Sequence, residues 1–207
     1  MTSASRAAKI RKPPKAAAAV PMRVRDRIFE SACDLFYRNG IHKVCVESIA
    51  SEAGSNKMSF YRNFSSKEEL VAEYLNDQAK EYWAWWDAAI APHTGDARRQ
   101  LEALFVAYTE KSLSSSVSGC ALGNAALELR EESHPGFAIT RGFKAEMRKR
   151  LRALARAAGA AKPNQLGDGL LLVMEGGYLT RITFVGNDGP FAVAAAAARM
   201  LIDAHLP

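Results

Sequence analysis

Between Asn56 and Phe64 the chain reads Asn-Lys-Met-Ser-Phe-Tyr-Arg-Asn-Phe. Phe60 and Phe64 are four residues apart, so in a helix both point to one side. Lys57, Met58, Ser59, Tyr61, Arg62 and Asn63 are left around the outside. The chemistry open to such a face is recognition by hydrogen bond and apolar contact. Lys57 can donate to a guanine edge or a phosphate, Ser59 is short enough for either, and Met58 offers apolar contact to a thymine methyl.

Something must hold that helix in place, and the residues before it supply a brace. Val46, Ile49, Ala50 and Ala53 follow a 3, 1, 3 spacing that puts them on one helical face. Gly54 then provides the residue without a Cβ that a left-handed turn tolerates best. Two short helices joined by such a turn make a helix-turn-helix, whose second helix enters the DNA major groove.

Over about fifty residues the chain resembles the TetR family of bacterial transcriptional regulators. The matching features are Ile49-Ala50, Ala53-Gly54, Phe60-Tyr61, Phe64 and Ser66-Lys67-Glu68-Glu69-Leu70. Upstream, Ala32, Leu35, Phe36 and Gly40 stand where the family's first helix and following turn place such residues. The resemblance implies an all-α fold: an N-terminal three-helix head with the helix-turn-helix, and a C-terminal helical domain for ligand binding and dimerisation. It also implies DNA contacts for Tyr61, Asn63 and Lys67, and for Arg27 at the head's first helix. Family members usually cap the second helix with Thr or Ser, whereas here the residues are Val44, Cys45 and Val46. Lys43 stands in for that missing hydroxyl as a phosphate contact, and Glu47 faces outward, where it repels phosphate unless a cytosine amino group donates to it.

The first helix is expected from about Arg23 to Arg38, with Val24, Ile28, Ala32, Leu35 and Phe36 as its buried stripe. Arg23, Arg25 and Arg27 crowd its first turns, where cations oppose the helix dipole and a phosphate would relieve the conflict. Glu30 and Asp34 offer a partial balance. Ser66 to Glu69 form a capping box that starts a long helix running to about Ala89. Ala91 to Gly95 breaks the pattern and marks a boundary. The reading is therefore a basic arm over residues 1–21, a DNA-binding domain over 22–68, a connecting helix over 69–90, and a ligand-binding and dimerisation domain over 91–207.

In that last part, helical stripes recur from about Asp96, from Cys120 to about Glu132, and from Phe137 to Gly159. The string from Gly119 to Leu129, followed by His134-Pro135, is similar to the regulatory half of one TetR subgroup. Arg148, Lys149, Arg150, Arg152 and Arg156 read as a solvated face. Leu170 to Val185 is apolar nearly all round and must be covered on several sides. Glu175 and Arg181 within it lie on different faces and need partners elsewhere. The alanine-rich stretch from Phe191 to His205 suits close helix contact, and the resemblance makes the last two helices a homodimer interface. Trp83, Trp86, Phe105, Tyr108, Cys120, Phe143, Met147, Met174 and Tyr178 are the candidate pocket walls. Their character suits a small lipophilic or aromatic effector, with Glu175 or Arg181 as polar anchor.

Composition narrows the alternatives. The net charge is +6, and Arg6, Lys9, Arg11, Lys12 and Lys15 supply most of it before the fold begins. That favours an anionic partner for an arm and a patch, and says little about the body. Three widely spaced cysteines do not make a disulfide framework. There is no secretory signal or membrane span, so a cytoplasmic protein without cofactor or metal is expected. No Ser-His-Asp set, metal-spaced His/Cys cluster or phosphate-cradling glycine loop points to an enzyme. The expected partners are double-stranded operator DNA, a small-molecule effector and a second copy of the chain. A protein coating DNA without sequence preference is the competing class.

Overall fold

The computed structural model describes residues 22–114, 119–184 and 189–206. The basic arm, and most of the run from 114 to 119, lie outside them. Ile28, Ala32 and Phe36, spaced by fours, drive α1 (Val24–Asn39) into the core, whereas Val24 at its start stays 39% exposed. Gly40 ends the helix at φ +84°, donating its N–H to Phe36 O. A side chain there would also meet the Glu128 carboxylate at 2.9 Å, so only glycine fits on both counts.

α2 (Val46–Glu52) buries Val46, Ile49 and Ala50, and turns through Gly54 at φ +59° into α3 (Lys57–Asn63). The Asn56 side chain caps α3 by accepting from Ser59 N at 2.9 Å. Phe60 and Phe64 are both buried, their ring centroids 5.7 Å apart. α4 (Lys67–Ile90) begins at Ser66, whose Oγ accepts from Glu69 N. The expected box closes one residue early, because the Glu69 carboxylate accepts from Ser65 N at 2.6 Å and not from Ser66.

α4 carries Leu70, Val71, Tyr74 and Leu75 under the head, then Tyr82 and Trp86 into the body. After a 3-10 turn (Ala91–His93) come α5 (Ala97–Ser114), α6 (Ala121–Glu128), α7 (Pro135–Ala157), α8 (Pro163–Thr183), a second 3-10 turn (Pro190–Val193) and α9 (Ala194–His205). No strand occurs among the described residues. α6 is shorter than its sequence suggested: the chain leaves helical geometry at Leu129, which buries its side chain against the start of α7.

The body core is Leu101, Leu104, Phe105 and Tyr108 of α5, Phe143, Met147 and Leu151 of α7, Leu170 and Met174 of α8, and Ala198 and Ile202 of α9. Two glycines set helix distances in it. A Cβ on Gly167 would lie 2.8 Å from the backbone of Arg152, and one on Gly177 would lie 2.1 Å from Tyr108 Oη. The basic run of α7 is a staple more than a solvated face. Arg148 and Arg152 both fork onto Asp168 of α8, and Arg150 reaches Asp87 of α4 while stacking on Trp83. α8 is covered on one side only, since Leu172 is 73% and Leu179 58% exposed. No helix among the described residues is long and apolar enough to cross a membrane.

Candidate nucleic-acid interface

The outward surface of α3 is built by burying its two phenylalanines. That leaves Lys57, Met58, Tyr61 and Arg62 exposed, Met58 by 66% and Tyr61 by 50%. Tyr61 stands edge-on to Phe60 at 5.3 Å, so its ring packs on the core while half of its surface stays exposed. Ser59 and Asn63 are less free. Asn63 Nδ2 donates to Ser59 O at 2.7 Å, so the amide turns back on its own helix.

The cations of the head fall into three settings. Lys57 Nζ donates to Glu47 Oε1 at 2.5 Å, which holds the carboxyl below and the ammonium above their usual pKa values. Arg25 is likewise committed, with both its terminal nitrogens on Glu73 and its guanidinium over the Phe64 ring. Arg27 and Lys67 instead rest on carbonyls. Arg27 Nε donates to Ala53 O at 3.1 Å, and Lys67 Nζ to Ile41 O at 2.7 Å. A carbonyl orients a cation without cancelling its charge, so both keep N–H groups for a phosphate. Lys43 and Arg62 are exposed and have no ion-pair partner among the described residues. Arg62 was missing from the expected contact set, although it follows Met58 by one helical turn and its Nη2 lies 3.4 Å from Met58 Sδ.

No side chain caps α2, as its Val44-Cys45-Val46 start implied. Ser48 Oγ donates to Cys45 O and lies 3.6 Å from the Cys45 sulfur. Hydrogen bonds that the Ser48 hydroxyl and backbone N–H offer to the thiolate lower the Cys45 pKa.

The expected effector residues separate into walls and core. A cavity of about 320 Å³ lies where α1, α4, α5, α6 and α8 meet. Cys120, Tyr178 and Arg181 line it, together with Cys33, Tyr37, Tyr74, Tyr82, Lys111 and Ser112, which the sequence reading did not select. Burial pushes the Cys33 thiol up to about 12, with Asp77 and Glu81 adding to it. Burial also raises Cys120. Glu175, with Cys120 and Tyr178, borders a second groove of about 370 Å³ between α6, α7 and α8, where Lys144 Nζ meets Glu175 Oε1 at 2.5 Å. Trp86, Phe105, Tyr108, Phe143, Met147 and Met174 are all under 5% exposed and line neither space. Tyr108 Oη donates to Met174 O at 3.0 Å, so even its hydroxyl is spent inside the core. Trp83 is half-buried under the Arg150 guanidinium, 4.2 Å from ring centre.

Hydrogen bonds join head and body. Glu128 at the end of α6 accepts from His42 N through its carboxylate and pairs with His42 Nε2 through its carbonyl, both at 2.9 Å. Tyr37 Oη of α1 donates to Gly119 O at 3.3 Å, just before α6.

Known proteins share this arrangement. The family described as bacterial regulatory proteins, tetR family, matches residues 28–74. A TetR-family transcriptional regulator from Streptomyces coelicolor is similar in structure at TM-score 0.80 with 22% identity, over 89% of this chain and 96% of its own. A TetR transcriptional regulator from Streptomyces avermitilis gives 0.70 at 26% identity, over 89% and 98%. A third, from Agrobacterium tumefaciens, gives 0.73 at 18% identity, over 89% and 98%. Among curated protein sequences none matches the chain significantly. At residues 28–74 the chain thus matches the tetR family of bacterial regulatory proteins, and its helical body shares the fold of these regulators.

Proposed function

We propose that the chain is a ligand-responsive transcriptional repressor that binds a near-palindromic operator as a homodimer. The observation that carries this reading is the outward face of α3, where Lys57, Met58, Tyr61 and Arg62 project from a rigid helix that packs on α1 and α2. Residues 22–68 read the duplex, 69–90 connect, and 91–207 hold the effector and the partner. Met58 and Tyr61 give apolar and hydroxyl contact, Lys57 and Ser59 reach base edges, and Lys43, Lys67, Arg27 and Arg62 meet phosphates.

The bare faces of α8 and α9 support dimerisation through the last two helices. Leu172, Leu179 and Met200 are 73%, 58% and 73% exposed, a cost a monomer would otherwise bear in water. For the effector, the cavity at the junction of α1 with the body supports a small aromatic molecule. Its walls are rich in tyrosine, and its size falls in the range of small-ligand sites. A ligand there touches α1 and α6 together, and α6 is tied to the head at Gly119 and Glu128. It would release DNA only to the extent that it binds the released shape more tightly.

Competition binding tests the function. The purified protein should prefer its selected operator over random duplex by about 10³-fold or more at moderate salt. Equal binding to both would leave a DNA-coating protein instead. Aromatic compounds that lower operator affinity without changing random-DNA affinity would support the effector reading.

A further inference from the structure

Glu47 lies in the first turn of α2, and Lys57 is the first residue of α3. Their side chains meet across the turn at 2.5 Å, with 56% and 59% of their surface still exposed. An acid on a surface that faces a polyanion weakens binding to every duplex alike. Its presence is understandable where it returns selectivity, because discrimination can come from a repulsive element as well as an attractive one.

We propose that Glu47 and Lys57 act as one unit that reads a C·G base pair, with Glu47 the specificity-determining residue. The inference rests on the reading of α3 as the recognition helix. In the major groove a cytosine offers its N4 amino donor, and the guanine opposite offers the O6 and N7 acceptors. The ion pair presents the complement: a carboxylate that only accepts, next to an ammonium that only donates and has N–H groups beyond the one given to Glu47. Residues at the start of a recognition helix are the ones that reach base edges, which is where Lys57 stands.

The rest of the head sharpens the contrast. Lys43, Arg62, Arg27 and Lys67 keep their charge uncancelled and suit phosphates. The Glu47–Lys57 pair has no net charge and adds little to sequence-independent binding. Lys57 alone would grip any guanine or any phosphate. With Glu47 beside it, a phosphate is repelled and a cytosine amino group is required.

The full-length protein and its selected operator test this. Affinities of wild type, Glu47→Ala, Glu47→Gln and Lys57→Ala are measured by fluorescence anisotropy over a salt series, on the operator, on each single base-pair substitution of it, and on random duplex. Glu47→Ala frees Lys57 for phosphate, so it should bind random duplex more tightly, with the log K against log salt slope steeper by about 0.9. It should also lose about 5- to 150-fold of preference at one C·G position in each half-site. Glu47→Gln should steepen the slope in the same way. Lys57→Ala should lose the preference at the same position without steepening. An unchanged slope and unchanged preferences in Glu47→Ala would overturn the proposal, as would an operator with no C·G pair whose loss distinguishes wild type from both variants. If wild type itself prefers no sequence, the reading of α3 fails first and the pair falls with it.

Discussion

Cys45, Cys33 and Cys120 show how far one residue type can be divided by its surroundings. Cys45 is exposed, and its hydrogen bond with Ser48 lowers its pKa. Cys33 and Cys120 border the central cavity, where desolvation raises both. Thiolate is the reactive form, so at pH 7–8 iodoacetamide should label Cys45 first, with Cys33 and Cys120 trailing by at least tenfold in peptide mapping. Raising the pH should narrow the gap, since it supplies thiolate to the two cavity-lining groups last. Cys120 labelling ahead of Cys45 would contradict these settings. At this scale the sequence spoke unevenly. Burying Phe60 and Phe64 decides which α3 residues face out, and that follows from spacing alone. Which cations are cancelled does not, because the partner of Lys57 is Glu47 on another helix. The pocket was harder still: Phe105, Tyr108, Phe143 and Met147 have the types of a wall and the burial of a core, while Tyr37 and Lys111 sit at positions that look outward in the sequence.

At the scale of elements, the α7–α8 pair depends on Gly167 and Asp168, adjacent residues with opposite jobs. Gly167 lets the helices touch, since an added Cβ would meet the Arg152 Cα and N at 2.8 Å. Backbone cannot rotate away as a side chain can, so Gly167→Ala should lose about 1–3 kcal/mol, read as a Tm several degrees lower. An unchanged Tm would mean that the helices separate freely. Asp168 receives both Arg148 and Arg152, which hold its carboxyl well below the usual carboxylate range. Its folded pKa is depressed, so the stabilisation is whole above the unfolded value near ~3.9 and drains as pH falls toward the folded one. Asp168→Asn should therefore cost about 1 kcal/mol in urea unfolding at pH 6–8, the scale of a partly exposed pair. That difference should shrink below about pH 4. A difference that grows in acid would reverse the assignment. The periodicities gave the course of α1, α4, α5 and α7, but they started α8 at Leu170, whereas the helix begins at Pro163. They overran at α6, whose end is decided by Leu129 burying itself and Glu128 turning to His42, neither of which is a local signal.

At the scale of the whole molecule, the apolar character of the last helices is the feature the single chain leaves unresolved. Leu172 and Met200 are each 73% exposed, although both lie in helices that bury Leu170 and Met174, or Ala198 and Ile202, on another face. Replacing Leu172 by Glu should leave the fold intact and shift the protein to monomer in analytical ultracentrifugation, with operator affinity falling by at least tenfold. A monomeric wild type would remove the need for such a face. The sequence made α8 apolar nearly all round, and the structure explains only the half that meets α5, α7 and α9. The central claim is that two copies of α3, held by that interface, read adjacent grooves about one helical turn apart, ~34–36 Å. Its most direct test is selection of bound duplexes from a random pool by the full-length protein, followed by sequencing. The account predicts enrichment of one near-palindrome whose half-sites repeat at about that spacing. A pool that stays random through successive rounds, or that yields a single unsymmetric site, would contradict it.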